Sequence, residues 1–382
     1  MDGVDRDFLD SLHPDVAEKI LTCLDDPSDV VRASSVSRAW HDFVVANSIC
    51  KHLCIRLFPQ LSGIDRVVHT NNMQQQKYSD VGCSRSAELE QLKKEHRVFA
   101  SLARGLTSSD VGECLSDAIS ASSTDNYPEE GVHNTLEPRD RIGRTASYWS
   151  SSGQSNPQVS ERLTYKLISD FCVITEINVQ PFQAFFQASS PIYSAKAVRF
   201  RMGYRVLTDD KEEVDFSKYL EGSPPADEHF VWTYTSKEFP MVQENIIQNF
   251  KLPEPVLCIG GIVQIELLGR VQTQEMDGLY YMCVAYVQVL GRPLAPVFSV
   301  DPLEPPGKFL LMFNSQAEFS NPPPSTREEP SETTVTPEMV QRHVRGWEQI
   351  LNMLRGTLGV DVYDSEDENN DTDDDMDEDF DT

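Results

Sequence analysis

The chain has 382 residues, with 61 Asp and Glu against 33 Lys and Arg, and a formal net charge of -28. This balance excludes sequence-independent nucleic-acid binding, because the phosphates would be repelled. No apolar run reaches the roughly 18 residues that a transmembrane helix needs, and the acidic N-terminus lacks the apolar core of a secretory signal. We therefore expect neither a nucleic-acid nor a membrane partner. The length predicts two or three domains, or one large domain with appendages.

Eight cysteines are scattered through the chain without a Cys-x-x-Cys pair. Such scattered thiols are typical of reduced proteins, so we expect a location in the nucleus, the cytoplasm or both. The group Cys50, His52 and Cys54 has the wrong spacing for a known zinc cluster and no second ligand pair nearby. We expect no cofactor.

Residues 8–58 have the apolar periodicity of three short helices. The first covers 15–24 and follows Pro14. The sequence DDPSD then breaks the helix, and Asp29 is predicted to cap a second helix that runs to Trp40. A third helix is expected over roughly 40–55, so that the segment forms a compact helical module.

Residues 59–113 are predicted to connect this module to the rest of the chain. The stretch 60–85 is polar and irregular and is interpreted as a loop. Residues 86–105 carry a helical stripe of apolar side chains, with Gly105 as the stop signal. This helix is expected to act as a spacer or brace.

From 114 to 313 the pattern becomes that of β-strands. At least six segments rich in Val, Ile, Tyr and Phe alternate in polarity between turn residues. These segments are 162–168, 173–182, 197–206, 229–236, 261–272 and 279–291. The pattern predicts a single antiparallel β-sandwich of the jelly-roll type.

The C-terminal part is predicted to contain little globular structure. Residues 314–336 have the composition of a disordered linker, and 337–358 form an amphipathic helix that must dock on the β domain or on a partner. The tail 359–382 is acidic and disordered, either as a solubilising end or as a binding site for a basic partner. The predicted fold class is therefore α+β multidomain, with a three-helix module, a connecting helix, a sandwich, a C-terminal helix and a tail.

The helical module carries a motif whose elements occur in a fixed order and spacing. They are Leu12, Asp15-Val16, Ile20-Leu21, Leu24, Asp29-Val30 and Val36-Ser37-Arg38-Ala39-Trp40. This pattern closely resembles an F-box. One departure is that His13 stands where an F-box normally has proline, and Pro14 follows one place later.

The resemblance implies docking on the Skp-family adaptor of a cullin–RING ubiquitin ligase. Three short helices form only a small core, so some apolar side chains of the motif are expected to stay exposed for a partner. The residues assigned to adaptor binding are Leu12, Pro14, Asp15, Val16, Ile20, Leu21, Leu24, Val36 and Trp40. The alternative is that the helices only cap the β domain.

The β domain resembles the galactose-binding-like jelly rolls, which also follow F-boxes in glycoprotein-recognising ligases. The matching pieces are the stretch 121–126 and the run Tyr148-Trp149-Ser150-Ser151 before RLTYKL. Candidate sugar-stacking residues are Tyr148, Trp149, Trp232 and Tyr234, although such residues more often fill a sandwich core. Candidate calcium ligands are Asp125, Asn126 and Asn134, whose alternative role is in turns and caps.

The sequence contains no G-x-S-x-G, H-E-x-x-H, phosphate-loop or G-x-G-x-x-G motif. We therefore predict a non-enzymatic substrate-recognition subunit of an SCF-type ubiquitin ligase, similar to plant F-box proteins with a C-terminal β domain and an acidic tail. It would bind the adaptor, and through it the cullin and RING subunits, and an unknown target protein. Two alternatives remain: a lectin-like or ligand-binding jelly-roll protein, and an acidic scaffold or chaperone for basic proteins.

Overall fold

The computed structural model describes residues 8–70, 85–143, 145–206 and 229–319. Within these ranges the helices are α1 (Phe8–Ser11), α2 (Pro14–Thr22), α3 (Pro27–Ser34), α4 (Arg38–Ala46), α5 (Ile49–Leu57) and α6 (Arg85–Thr107). None of the described helices is both long and apolar enough to cross a membrane. The predicted helix 337–358, the tail 359–382 and the linker beyond residue 319 lie outside the described residues.

The β-strands dominate the second half of the chain, and each of the six predicted segments overlaps one of them. The described strands are β1 (Ile64–His69), β2 (Gly112–Glu113), β3 (Leu115–Ala121), β4 (Arg141–Ile142), β5 (Thr145–Ala146), β6 (Trp149–Ser150), β7 (Glu161–Leu167), β8 (Phe171–Gln183), β9 (Ile192–Tyr193), β10 (Ala195–Arg205), β11 (Phe230–Thr235), β12 (Phe239–Pro240), β13 (Gln248–Ile259), β14 (Ile262–Arg270), β15 (Gln272–Thr273), β16 (Tyr280–Tyr281), β17 (Cys283–Pro293), β18 (Phe298–Leu303) and β19 (Lys308–Phe313).

The helical module contains five short helices where the sequence predicted three. The predicted second helix ends at Ser34, because Ser37 is extended and its hydroxyl accepts a hydrogen bond from the Trp40 amide at 3.2 Å, which caps α4. The predicted third helix divides at Ser48, whose backbone is left-handed. Asp26, not Asp29, caps α3, since its carboxylate accepts from the Ser28 amide at 2.7 Å.

Two antiparallel sheets form the predicted β-sandwich. One has the strand order β11-β10-β14-β7-β3, with β12 beside β10. The other has the order β13-β8-β17-β2, with β6 beside β17 and β9 beside β8. Side chains from both sheets, among them Trp149, Phe200 and Ile265, share one core. The predicted organisation of a helical module followed by an antiparallel sandwich is confirmed.

One end of the second of these sheets is buried on both faces. At the start of β8, Cys172 and Ile174 point into the sandwich core, whereas Phe171 and Val173 point into a second core that contains the helices. Residues 256–259 of β13 alternate in the same way. This alternation follows from the period of two in a strand, and it explains why both runs are apolar without interruption.

The second core joins the helices to the sandwich. α6 contributes the buried side chains Val98, Phe99, Leu102, Ala103 and Leu106. Its last turn continues past Gly105, the predicted stop, to Thr107. The missing side chain of Gly105 lets Phe319 approach the helix. A Cβ at this position would lie 2.7 Å from the Phe319 ring. α6 is therefore a brace inside a common core.

A third sheet has the order β1-β19-β18 and was not predicted. The prediction of a loop over 60–85 is wrong for residues 64–69, which form β1 parallel to β19, with Val67 opposite Leu311. Phe313, at the end of β19, lies 243 residues after Thr70, which directly follows β1. A strand with so distant a partner leaves little local signal in the sequence.

Candidate functional site

Helix α2 separates its apolar residues between two sides. Ala17 and Leu21 are buried, whereas Val16 and Ile20, one turn apart, are 47% and 42% exposed. Pro14 occupies the first position of the helix, where its missing amide hydrogen is not needed. The His13-Pro14 order therefore fits the fold, and its effect on adaptor binding stays a prediction.

The segment after α2 carries further exposed apolar side chains. Val30 is buried, but Val31 and Val36 are 51% and 63% exposed. Sequence analysis missed Val31, because its exposure depends on which side of α3 packs against the other helices. We name the exposed set Val16, Ile20, Val31 and Val36 the aliphatic patch.

The predicted adaptor-binding residues differ in their accessibility. Pro14 and Asp15 are exposed, while Leu12, Leu24 and Trp40 are half-buried. Leu21 is only 4% exposed and packs in the helical core, so its assignment to direct adaptor contact is corrected to a structural role.

Arg56 of α5 fixes the end of α2. Its guanidinium donates to the carbonyl oxygens of Thr22 and Leu24, and it lies 3.2 Å from the Asp25 carboxylate. A cation at the C-terminal carbonyls of a helix is favourable, because those carbonyls carry partial negative charge. The orientation of α2, and with it that of Val16 and Ile20, is therefore set by the core helix α5.

A second candidate site is a cavity of about 110 Å³ in the sandwich. It is lined by Asp125, Glu130, Tyr148, Ser150, Phe182, Ala184, Phe186, Gln187, Tyr193, Gln274, Tyr281 and Cys283. These residues come from the loop before β4, from β6, from β8 with the turn that follows it, from β9 and from the segment 274–283. We call this site the tyrosine cavity.

Aromatic rings form much of the tyrosine cavity wall. Tyr148 stacks on Phe182 with ring centroids 3.9 Å apart and planes within 3°. The Phe186 ring lies 6.3 Å from that of Tyr148. Across the site, Tyr193 and Tyr281 form an edge-to-face pair at 6.3 Å. Such pairs hold one another in place, so the wall is defined by mutual packing.

The hydroxyl groups of these tyrosines are bound to acceptors. Tyr148 donates to Glu130 at 2.6 Å, Tyr281 donates to Asp277 at 2.6 Å, and Tyr193 donates to Gln187 at 2.7 Å. Burial raises the pKa of the Glu130 carboxyl, although the hydrogen bond from Tyr148 opposes this shift.

Two carboxyl groups, those of Asp125 and Glu130, line the cavity. Burial, together with the nearby Asp277 carboxylate, raises the pKa of Asp125. Burial, and then the neighbouring Cys283, raise the pKa of Tyr193 to about 12. Since no Lys, Arg or His is among the lining residues that the structure describes, no cation neutralises these groups at the cavity wall.

Only one of the four candidate sugar-stacking residues lies in this cavity. Tyr148 lines it, but Trp149 is completely buried and its indole donates to the Ser123 carbonyl at 3.1 Å, so it cannot stack on a ligand. Trp232 and Tyr234 belong to β11 in the opposite sheet. There Trp232 stacks on Phe230, and the four residues do not form one site.

Of the three candidate calcium ligands, the Asn134 side chain is engaged in hydrogen bonds, and the calcium assignment stays a prediction. The Asn134 amide donates to the carbonyls of Glu129 and Tyr148, at 2.7 and 2.9 Å, and so acts as a donor that ties the loop. Asp125 is exposed at the cavity, and the Asn126 carbonyl accepts from the Glu130 amide at 2.7 Å. Among the described residues, no three His, Cys, Asp or Glu side chains come close enough to hold a metal ion.

Comparison with known proteins supports the assignment of the N-terminal module. Residues 9–56 match the model of the F-box-like family, and this range contains every predicted adaptor-binding residue. An F-box protein of Arabidopsis thaliana is 50% identical over 371 residues, which is 96% of this chain and 97% of the relative. The chain belongs to the F-box protein family.

Solved structures overlap with part of this F-box protein. A family 32 carbohydrate-binding module from Clostridium perfringens NanJ, in complex with galactose, is 12% identical and covers 46% of this chain and 98% of its own, with a TM-score of 0.27. The β-galactosidase BgaA of Streptococcus pneumoniae is 13% identical and covers 47% and 98%, with a TM-score of 0.33.

Proposed function

We propose that this F-box protein is the substrate-recognition subunit of an SCF-type ubiquitin ligase. The helical module would bind a Skp-family adaptor, and through it the cullin and RING subunits. The sandwich would hold the target protein. F-box proteins are typically non-catalytic, and transfer of ubiquitin would be carried out by the other subunits.

The aliphatic patch is the observation that carries this proposal. Each fully buried Val or Ile side chain contributes about 1.5–3 kcal/mol, so several exposed together represent a binding energy that the free chain leaves unused. They lie within the segment that matches the F-box-like family. An adaptor that covers Val16, Ile20 and their neighbours would bury them.

The shared core supports a positioning mechanism. Because α6 packs in the same core as β8 and β13, the adaptor-binding module and the sandwich have no flexible joint within the described residues. A target held on the sandwich would therefore stay at a fixed distance from the adaptor. This raises the effective concentration of its lysines near the conjugating enzyme.

We also propose that the protein acts in the nucleus, the cytoplasm or both. All seven cysteines among the described residues are free thiols. This agrees with a reducing compartment.

Co-purification of the full chain with a recombinant Skp-family adaptor tests the proposal. The variant Val16→Asp with Ile20→Asp places two charges on the aliphatic patch and should abolish the stoichiometric complex. The matched control is Val242→Asp with Ile246→Asp, since these sandwich side chains are 48% and 51% exposed. The control should bind like the unchanged protein. Equal binding of the patch variant, or no complex with the unchanged protein, would refute adaptor docking through this face.

A further inference from the structure

The tyrosine cavity is rich in hydrogen-bond acceptors. The hydroxyl hydrogens of Tyr148, Tyr193 and Tyr281 are already donated to neighbouring side chains, so their oxygen atoms present lone pairs. Glu130 and Asp125 add carboxylate oxygens. A suitable ligand must therefore bring donors and a positive charge.

The aromatic wall favours the same kind of ligand. The rings of Tyr148, Phe182 and Phe186 lie together on the wall, and Phe186, which is 55% exposed, keeps its ring accessible to a ligand. A cation over an aromatic face is attracted by the negative ring quadrupole, and the attraction grows when water is excluded. Anionic ligands are excluded, because the carboxylates and the negative ring faces would repel them.

The size of the cavity limits the ligand further. Its volume of about 110 Å³ is well below the roughly 300–1,000 Å³ of pockets that enclose drug-sized molecules. One flexible side chain with a compact charged end fits this volume better than a whole small molecule.

We propose that the tyrosine cavity binds a lysine or arginine side chain of the target protein. The ammonium or guanidinium group would lie between the Glu130 and Asp125 carboxylates and the aromatic rings, while its aliphatic stem would fill the mouth. This inference rests on the proposed function in one respect only, namely that the partner is the ligase target.

The surroundings of the cavity fit a polypeptide partner. The segments that line it also carry large exposed apolar side chains: Tyr127 is 43% exposed, Phe186 55% and Met276 91%. Exposed aromatic and Met side chains around a pocket are typical of protein interfaces, where a central anchor enters the pocket and apolar contacts exclude water around it.

The ligand is tested with short peptides on the full chain. The test peptide is acetyl-Gly-Ser-Gly-Lys-Gly-Ser-Gly-amide, compared with versions that carry arginine or norleucine at the central position. Saturation-transfer NMR should show the Lys or Arg methylenes in contact with the protein. The norleucine peptide has the same apolar stem without charge and should bind at least about tenfold more weakly, because the ion pair with the cavity carboxylates is lost.

Two kinds of variant locate the binding. Glu130→Gln with Asp125→Asn keeps the side-chain shapes and removes both charges. This variant should bind the basic peptide at least about tenfold more weakly. Glu254→Gln with Asp301→Asn makes the same change in net charge at exposed positions elsewhere and should leave binding unchanged. Phe186→Ala, at an exposed side chain, should weaken binding about threefold or more through the lost ring face.

Each outcome has a defined meaning. Equal binding of norleucine, equal effects of the two charge variants, or saturation by galactose with no signal from the basic peptides would overturn the inference. Adaptor co-purification on the same samples separates the two proposals. A protein that binds the adaptor but no basic peptide refutes the cavity assignment alone, and the reverse result refutes the ligase assignment alone.

Discussion

Arg270 and Glu161 form an ion pair inside the sandwich, where their side chains are 0% and 3% exposed. The Arg270 guanidinium also donates to the Ser151 hydroxyl at 2.8 Å and to the carbonyls of Ser152 and Tyr280 at 2.9 and 2.8 Å. These partners belong to segments that flank the tyrosine cavity. The pair therefore connects the stability of the sandwich to the shape of the candidate ligand site.

Loss of one member of this pair should destabilise the protein strongly. Glu161→Gln leaves the buried Arg270 charge without its counter-ion, and we expect the free energy of unfolding to fall by about 3–5 kcal/mol. Urea denaturation measures this change. Asp29→Asn breaks an exposed pair with Arg32 on α3 and should lower stability by at most about 1 kcal/mol. A comparable small loss for Glu161→Gln would contradict the role given to the pair.

The helical module and the sandwich should unfold together. Leu102 of α6 is completely buried in the core that they share, so Leu102→Ala should lower stability by about 2–5 kcal/mol. Hydrogen exchange with mass spectrometry should show faster exchange in α5 and in β8 by the same factor. If only the helices lost protection, the two parts would be separate cooperative units.

The stability of the chain should decrease on mild acidification through His96. Its ring is half-buried, its Nδ1 has no partner, and it meets His41 edge-to-face at 5.7 Å. Burial, and then the His41 imidazole, lower the pKa of His96 below 6.5. The unfolded chain therefore binds a proton that the folded chain does not. The neutral His96 ring therefore contributes to the free energy of unfolding in full above about pH 6.5, and this contribution is lost as the pH falls through the pKa of His96 in the folded protein.

Urea titrations between pH 7.5 and 5 test this dependence. His96→Leu should reduce the loss of stability on acidification, whereas His52→Leu, at an exposed position of α5, should keep it. An unchanged slope in His96→Leu would show that other groups are responsible.

Gly63 should not tolerate a side chain. It precedes β1, and a Cβ there would lie 2.3 Å from the carbonyl oxygen of Gly307 in the turn between β18 and β19. Because that contact is with backbone, Gly63→Ala should lower the free energy of unfolding by about 1–3 kcal/mol. Ser62→Ala, at the exposed neighbouring position, should change it by about 0.5 kcal/mol or less. Similar denaturation midpoints for the two variants would argue against this close contact.

The parts of this structure that could be predicted are those with local signals. The F-box motif is a fixed sequence of spacings, and strands such as β10 and β14 alternate visibly. The tyrosine cavity could not be predicted, because Asp125, Tyr193 and Tyr281 are far apart in the chain and only the sandwich brings them together. The sequence around Trp149 likewise shows an aromatic residue but not that it is buried.

The burial of β8 on both of its faces also could not be predicted from the local sequence pattern. The apolar run Phe171–Ile174 is compatible with a strand or a helix segment buried all round. The side chains of this run are divided between two cores because α6 packs on one face of the sheet, and that packing depends on the tertiary structure. Val31 is similar, since its exposure depends on which side of α3 faces α5 and α6.

The parallel pairing of β1 with β19 has a consequence for synthesis on the ribosome. β1 emerges early, but its partner follows 243 residues later, which at 5–20 residues per second takes roughly 12–50 s. Throughout this time the F-box helices exist without the strands that complete their core. The nascent chain must therefore keep Phe99 and Leu102 away from other chains until translation has passed residue 313, and this interval is where chaperone assistance would matter most.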